Sequence, residues 1–311
     1  MKAFNIYCIV VTYNGAAWVK KCFGSLLSCG LPVKILAIDN ASSDNTVQLL
    51  RADFATVQVI ETGSNLGFGK ANNIGLKMAL DNDADYIFLL NQDAWLQPGC
   101  IEKLISCFES NPQMGIISPV HLNAAGDNFD KHFAGYTNEQ HCPGFVTDRF
   151  FGREKTLYPI QFINAAAWML SRNTLEKVGG FDPLFPHYGE DDDYVERVKY
   201  AGLTTAICPA AFIHHDAAPV SEEDLQGNVQ RLKIHHLVQL KKISNTYRSN
   251  WLNFIKNEWD IQTTMLLFRK FKHWRFRSKM FFKLFSYYGK IKTSRARSRQ
   301  PYAFLKEENY L

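Results

Sequence analysis

The chain has 311 residues, 46% of them apolar and 21% charged, which fits one large globular domain or two modest ones and excludes a disordered protein. No run of about 18 apolar residues occurs, so no segment is expected to span a bilayer unaided. The net charge of +5 is uneven: residues 1–259 hold 22 Lys/Arg against 27 Asp/Glu, and residues 260–311 hold 13 against 3, so an electrostatic partner should meet the basic tail.

In chain order, the first 120 residues alternate between strand and helix patterns. Met1–Val11 lacks a small-residue cleavage site and reads as a first strand, Ile6–Val11, rather than a signal peptide. A helix over Trp18–Leu27 and a strand over Val33–Ile38 follow. A second helix, Asp44–Phe54, is opened by the capping residues Ser42, Ser43 and Asp44. Next come a strand at Val57–Glu61, a helix at Gly69–Leu80, a strand at Tyr86–Leu90, a helix at Pro98–Phe108 and a strand at Gly115–Ser118. This order predicts a mainly parallel sheet covered on both faces, with ligands at the carboxyl ends of its strands. Residues 120–160 have no clean period and read as a variable loop region beside the site. Beyond them the pattern gives a strand at Gln161–Leu170, a helix at Asn173–Val178 and a helix at Glu190–Ala201 ending at Gly202. One or two short strands over Thr204–Ile213 precede helical sequence from about Ser221 to 290.

Polar segments follow the strands and should meet in one crevice. Asp39 ends an apolar run. Ser42 and Asp44 already cap the next helix, which leaves the Asp39 carboxylate free to accept from a base N–H or ribose hydroxyls. The stretch Asn65–Asn73 combines glycines and amides ahead of a helix; it is either a plain turn or a set of N–H groups for phosphate or sugar hydroxyls. Asn91-Gln92-Asp93 ends a buried strand, where a carboxylate is costly unless paired or bound to Mg²⁺ or Mn²⁺; a cap ahead of Pro98 is the competing reading. Four consecutive acids, Glu190 to Asp193, follow the loop Val178–Pro186. A helix N-terminus accounts for one or two such acids more readily than for four.

Together Val10–Asn14, Ile38–Asp44, Asn65–Gly69, Asn91–Asp93, Val178–Asp182 and Gly189–Asp193 resemble, in order and spacing, the motifs of family 2 glycosyltransferases. The resemblance covers roughly residues 4–240 and is nearest to the rhamnosyltransferase-like enzymes of bacterial surface polysaccharide assembly. It implies a GT-A fold, a nucleotide-sugar donor, Mg²⁺ or Mn²⁺, and inversion at the anomeric carbon. Thr12, Tyr13, Asn14, Asp39 and Asn40 would hold the nucleoside, and Asn65, Gly67, Phe68 and Asn72 would border the donor. Asn91 and Asp93 stand where the family has its D-x-D metal motif, with His214 approaching the metal or diphosphate; Trp168 should face the donor sugar or acceptor. Asp191 would be the general base, with Asp192 the alternative, since neighbours on a helix point about 100° apart. The chain departs from the family at Asn91, a weaker ligand than a carboxylate, and at Asn164, where relatives often carry Gly.

The implied organisation is a catalytic domain over 1–220 and a helical, basic-aromatic extension over 221–311. In 259–299 aromatics alternate with Lys and Arg in two stripes. One reading is a helix meeting the face of a membrane, which suits a saccharide acceptor carried on a lipid; the other is packing on the catalytic domain and on a second subunit of a homo-oligomer. Nucleic-acid binding is not indicated, because no known module matches. Seven cysteines without C-x-x-C spacing point to reduced thiols and a cytoplasmic location, at the inner membrane face if the tail binds lipid. Two rival functions stand beside transfer. A nucleotidylyltransferase would want a Gly-rich loop with Arg after the first strand, which Thr12–Gly15 does not supply. A catalytically silent nucleotide-sugar binder is left open by Asn91.

Overall fold

A computed structural model describes residues 4–217 and 225–306, with only the backbone at 225–230. The expected helix start near Ser221 and the 220/221 domain boundary lie outside these residues. The elements run β1 Ile6–Thr12, α1 Val19–Leu27, β2 Val33–Asp39, α2 Thr46–Asp53, β3 Gln58–Glu61, α3 Phe68–Asp81, β4 Tyr86–Asn91, β5 Ala94–Leu96, α4 Cys100–Ser110 and β6 Met114–Asn123. Then come α5 Lys131–Tyr136, α6 Phe145–Phe150, β7 Tyr158–Pro159, β8 Ala167–Ser171, α7 Arg172–Val178, α8 Glu190–Tyr200, β9 Thr204–His215, α9 Leu225–Lys241, α10 Tyr247–Leu267, α11 Phe271–Phe285 and α12 Tyr288–Arg297.

One nine-stranded sheet has the order β3-β2-β1-β4-β8-β6-β9-β5, with β7 paired to β9. Its first four strands are parallel; β8 runs antiparallel to both β4 and β6, so the far half is mixed. Alternation along β1 explains the layers: Ile6, Cys8 and Val10 pack into one apolar cluster, while Tyr7 and Ile9 pack into another on the opposite face. Register aligns Thr12 with Asp39 and Val11 with Asn91, which brings the polar ends of β1, β2 and β4 side by side where the strand order reverses.

The segment 120–160 is more ordered than its sequence suggests. β6 runs on to Asn123, the short helices α5 and α6 follow, and Phe133, Phe145 and Tyr158 anchor them in the core. The strand expected from Gln161 starts only at Ala167, and β9 is one strand with a register shift against Pro119/Val120. The C-terminal helices build a third apolar cluster from Phe185, Leu237, Trp251, Phe254, Met280 and Leu284. The chain then returns to the body built on the sheet. Gly180 N–H donates to the Ala303 carbonyl, Tyr302 N–H donates to the Glu176 carbonyl, and Leu305 joins the main core. Gly179 (φ 83°) has no room for a side chain, since a Cβ there would lie 2.0 Å from the Ala303 oxygen.

Candidate active site

At the strand ends lies a crevice of about 260 Å³, lined by Val11, Tyr13, Asn40, Asn65, Gly67, Phe68, Asn91, Gln92, Asp93 and His187. Its floor is tied by side chains. Thr12 Oγ1 donates to Asp39 Oδ1 (2.9 Å), and Ser42 donates to the same carboxylate from its backbone N–H (2.9 Å) and its hydroxyl (2.6 Å). Asn40 and Asn65 clasp each other: Asn40 Nδ2 donates to Asn65 Oδ1 (3.0 Å), and Leu66 N–H donates to Asn40 Oδ1 (2.7 Å). Gly67 (φ 82°) meets the loop ahead of α8 so closely that a Cβ would stand 2.1 Å from the Pro186 oxygen.

The crevice gathers Tyr13, Asn40, Asn65, Gly67, Phe68, Asn91 and Asp93 as expected, but not every candidate. Thr12 and Asp39 are buried beneath it and engage each other rather than open space. Asn14 holds the 42–43 turn, accepting from Ser43 N–H at 2.8 Å. Asn72 lies buried inside α3, its amide donating to the Phe68 carbonyl four residues back (3.1 Å). Trp168 is 0% exposed and lines neither the crevice nor the groove described below; it stacks under Phe181 (6.0 Å, 16°) and against Tyr194 (5.5 Å). The reason is register: Trp168 sits opposite Leu89 in the sheet, on a face covered by the 181–194 segment.

His214 also lies away from Asp93. It pairs with Trp95 in the β5–β9 register, stacks on that ring (5.3 Å, 6°), and its Nε2 stands 3.3 Å from Gln97. Strand alternation turns its neighbour the other way: His215 Nε2 is 3.5 Å from Asp93 Oδ1, and Nδ1 is 3.4 Å from Asp130 Oδ2. Burial lowers the His215 pKa, but the two carboxylates outweigh it and lift it to about 9, so the ring is an imidazolium at neutral pH. Among the described residues no group of three or more His, Cys, Asp and Glu side chains forms a complete metal cage. Asp93 and Asn91 do present oxygen donors into the crevice, the type that Mg²⁺ and Mn²⁺ take, with room for a ligand's own oxygens to complete a shell.

The acids of α8 have four different environments, set by the helical rotation between them. Gly189 (φ 85°) caps the helix. Glu190 is buried, and its Oε2 has no hydrogen-bond partner. Burial and the adjoining Asp191 raise its pKa to about 8. Asp193 is buried in ion pairs with Arg197 (2.9 Å) and Lys241. Asp192 is exposed on the wall of a groove of about 320 Å³ that also includes Tyr136, Phe162, Lys199 and Lys242. Asp191 is half-buried; desolvation and then the Asp192 charge raise its pKa to about 7, opposed by backbone amides including that of Ala165. A carboxylate poised there exchanges protons at neutral pH. Tyr136 Oη donates to Asn164 Oδ1 (2.7 Å), so the atypical Asn164 fixes an aromatic wall of the Asp192 groove.

Sequence reasoning passed over Gln92, His187, Asp130 and Lys241. Gln92 Oε1 accepts from Tyr13 N–H (2.8 Å) and its Nε2 donates to the Tyr13 carbonyl (3.0 Å), a two-way clamp at the crevice edge. His187 reaches the crevice from the loop that leads into the acids, and its place four residues before Asp191 was the available signal.

This arrangement is that of the GT-A glycosyltransferase fold. Solved structures of similar fold include an S. aureus TarS fragment with UDP (TM-score 0.53, 14% identity, 79% of this chain and 68% of that one) and a mannosyltransferase from Pyrobaculum calidifontis with GDP-Man and Mn²⁺ (TM-score 0.56, 16% identity, 79% and 66%). The chain belongs to glycosyl transferase family 2, whose profile matches residues 7–179. It is 26% identical over 256 residues to an N-acetylglucosaminyl-diphospho-decaprenol L-rhamnosyltransferase of Mycobacterium tuberculosis, covering 73% of this chain and 80% of the relative. It is also 26% identical to the dTDP-rhamnosyl transferase RfbF of Shigella flexneri (68% and 69% covered) and to the rhamnosyltransferase WbbL of Escherichia coli (68% and 84%). The protein is therefore a family 2 glycosyltransferase whose curated relatives include rhamnosyltransferases.

Proposed function

We propose that the protein transfers rhamnose from dTDP-rhamnose, with inversion, to a hydroxyl of a growing surface or lipid-linked polysaccharide. The choice of donor is supported by the names of its curated relatives. The observation that carries the mechanism is Asp191: a half-buried carboxylate with a pKa of about 7, ahead of which the same loop sends His187 into the crevice. Asp191 takes the proton of the acceptor hydroxyl as that oxygen bonds to the anomeric carbon. The bond from that carbon to the diphosphate oxygen breaks on the opposite side, and its electron pair leaves with the nucleoside diphosphate. Tyr13, Asn40, Asn65 and the backbone at Gly67 line the donor side; Tyr136, Phe162 and Asp192 line the acceptor side.

A divalent cation would be held by Asp93, with Asn91 in support and His215 rather than His214 nearby. When bound it supplies positive charge to the leaving diphosphate. In this chain the His215 ring stands 3.5 Å from Asp93 and 3.4 Å from Asp130, so its positive charge is shared between the two carboxylates.

Titration calorimetry with dTDP-rhamnose, UDP-glucose, UDP-galactose and GDP-mannose, with and without Mn²⁺, tests the reading. The expected result is preference for dTDP-rhamnose, with Asp191→Asn binding donor but failing to transfer. Preference for a UDP-sugar would reassign the donor, and unchanged turnover in Asp191→Asn would remove the proposed base.

A further inference from the structure

The hairpin of α10 and α11 is built in two parts. Its base belongs to the protein: Trp251, Phe254, Met280 and Leu284 are buried with α9, and Glu258 joins His236 (3.2 Å) and Arg277 in a partly buried ion cluster. Beyond Glu258 the hairpin leaves the body. No residue from 259 to 279 is buried. At about 1.5 Å per residue, the last turns of α10 carry the tip on the order of 13 Å past that cluster.

The composition of this overhang runs against a solvated turn. Leu267 is 81% exposed, Phe268 70% and Phe271 57%, with Leu266 beside them. A water-facing loop gains nothing from such a cluster, which a soluble surface normally keeps covered. Cations surround it: Arg269, Lys270, Lys272 and Arg275 are all exposed. Residues 261–306 hold no Asp or Glu at all. Trp259, 70% exposed, lies about two turns back from the tip, the level at which indole rings collect at a lipid headgroup layer.

We infer that this tip is a docking surface for an anionic lipid bilayer. Leu267, Phe268 and Phe271 enter the acyl boundary, the surrounding Lys and Arg meet lipid phosphates, and the body stands off on the rest of the hairpin. The overhang exceeds the roughly 5–10 Å that interfacial segments penetrate. Charge selects this occupant over a second copy of the chain: a two-fold contact would set the same acid-free tip against itself. Among the described residues no helix is long and apolar enough to cross a membrane, so the contact is with one face. The inference is independent of the sugar reading, and its readout needs neither donor nor acceptor.

The test is co-sedimentation of the full chain with vesicles of phosphatidylcholine containing phosphatidylglycerol, and with vesicles of phosphatidylcholine alone, alongside light scattering of the protein in solution. Binding to the anionic vesicles, release by high salt, and little binding to the neutral ones are expected. Replacing three cations (Lys270→Glu, Lys272→Glu, Arg275→Glu) should weaken binding by at least on the order of a hundredfold, at roughly fivefold per cation lost. The pair Leu267→Glu, Phe268→Glu should abolish it, with circular dichroism and thermal unfolding unchanged because both side chains are exposed. Failure of the parent chain to bind anionic vesicles, equal binding by the variants, or a dimer that the Leu267/Phe268 pair dissociates would each overturn the inference.

Discussion

Lys241 on α9 places its Nζ 2.8 Å from Asp182 Oδ2 and also bonds Asp193, so one buried ammonium joins the loop before the acids to the first turn of α8. Ser294 on α12 donates to the same Asp182 carboxylate. Burial pushes the Asp182 carboxyl up in pKa, but Lys241 and Ser294 outweigh it and hold it below the usual carboxylate range. The C-terminal helices thereby fix the segment that carries Asp191. Removing the ammonium leaves two carboxylates buried against one remaining cation. Lys241→Met should therefore cost about 3–5 kcal/mol, read by urea unfolding. Lys241→Arg should recover part of that loss, and equal stability of all three proteins would dismiss the lock.

Asp191→Asn should lower kcat by about 10²–10⁴ while donor affinity by calorimetry stays within a few-fold. Asp192→Asn, at an exposed position, should cost far less. The opposite ranking would make Asp192 the base.

The pH dependence follows from the same pair. A base must be deprotonated, so the rate should rise with pH through about 7 and level off above it. Burial is the larger cause of the raised Asp191 pKa and the Asp192 charge the second. Asp192→Asn should therefore move the midpoint to lower pH without restoring that of a free carboxylate. A midpoint that stays put would separate the profile from Asp191.

Glu190 titrates in the other ledger, stability. Its folded pKa of about 8 lies above the 4.5 of a free glutamate, so its favourable, protonated contribution is complete below about 4.5 and is lost as pH rises towards 8. Glu190→Gln keeps the neutral form at every pH. The melting-temperature difference between variant and parent should grow from pH 5 to pH 8.5 in favour of the variant, and a difference independent of pH would contradict the buried-acid reading.

Much of the crevice was legible because strand ends and their polar residues are local signals: β1, β2 and β4 lie within a residue or so of their expected bounds. What failed was facing. The pair His214-His215 reads alike along the sequence, and only the β5–β9 register decides that His215 turns to Asp93 while His214 stacks on Trp95. Trp168 failed for the same reason, its face being set by Leu89 across the sheet. Asn72 was expected to border the donor, yet it falls on the buried side of α3, where its amide donates to the Phe68 carbonyl. The link from Lys241 to Asp182 and Asp193 joins residues too far apart for any periodicity to announce it.

The return of residues 302–305 beneath the turn at 178–182 also sets a timetable for the newborn chain. Asn73 donates its amide to the Phe304 carbonyl, a partner 231 residues later in the chain. At a synthesis rate of about 5–20 residues per second, that partner follows on the order of 10–50 s behind. Through that interval the sheet can assemble, but the turn that presents the acids has no Ala303 to close on and no Lys241 or Ser294 to hold it. A ribosome stalled before α9 would thus display an assembled sheet whose turn ahead of α8 still lacks the contacts that settle it.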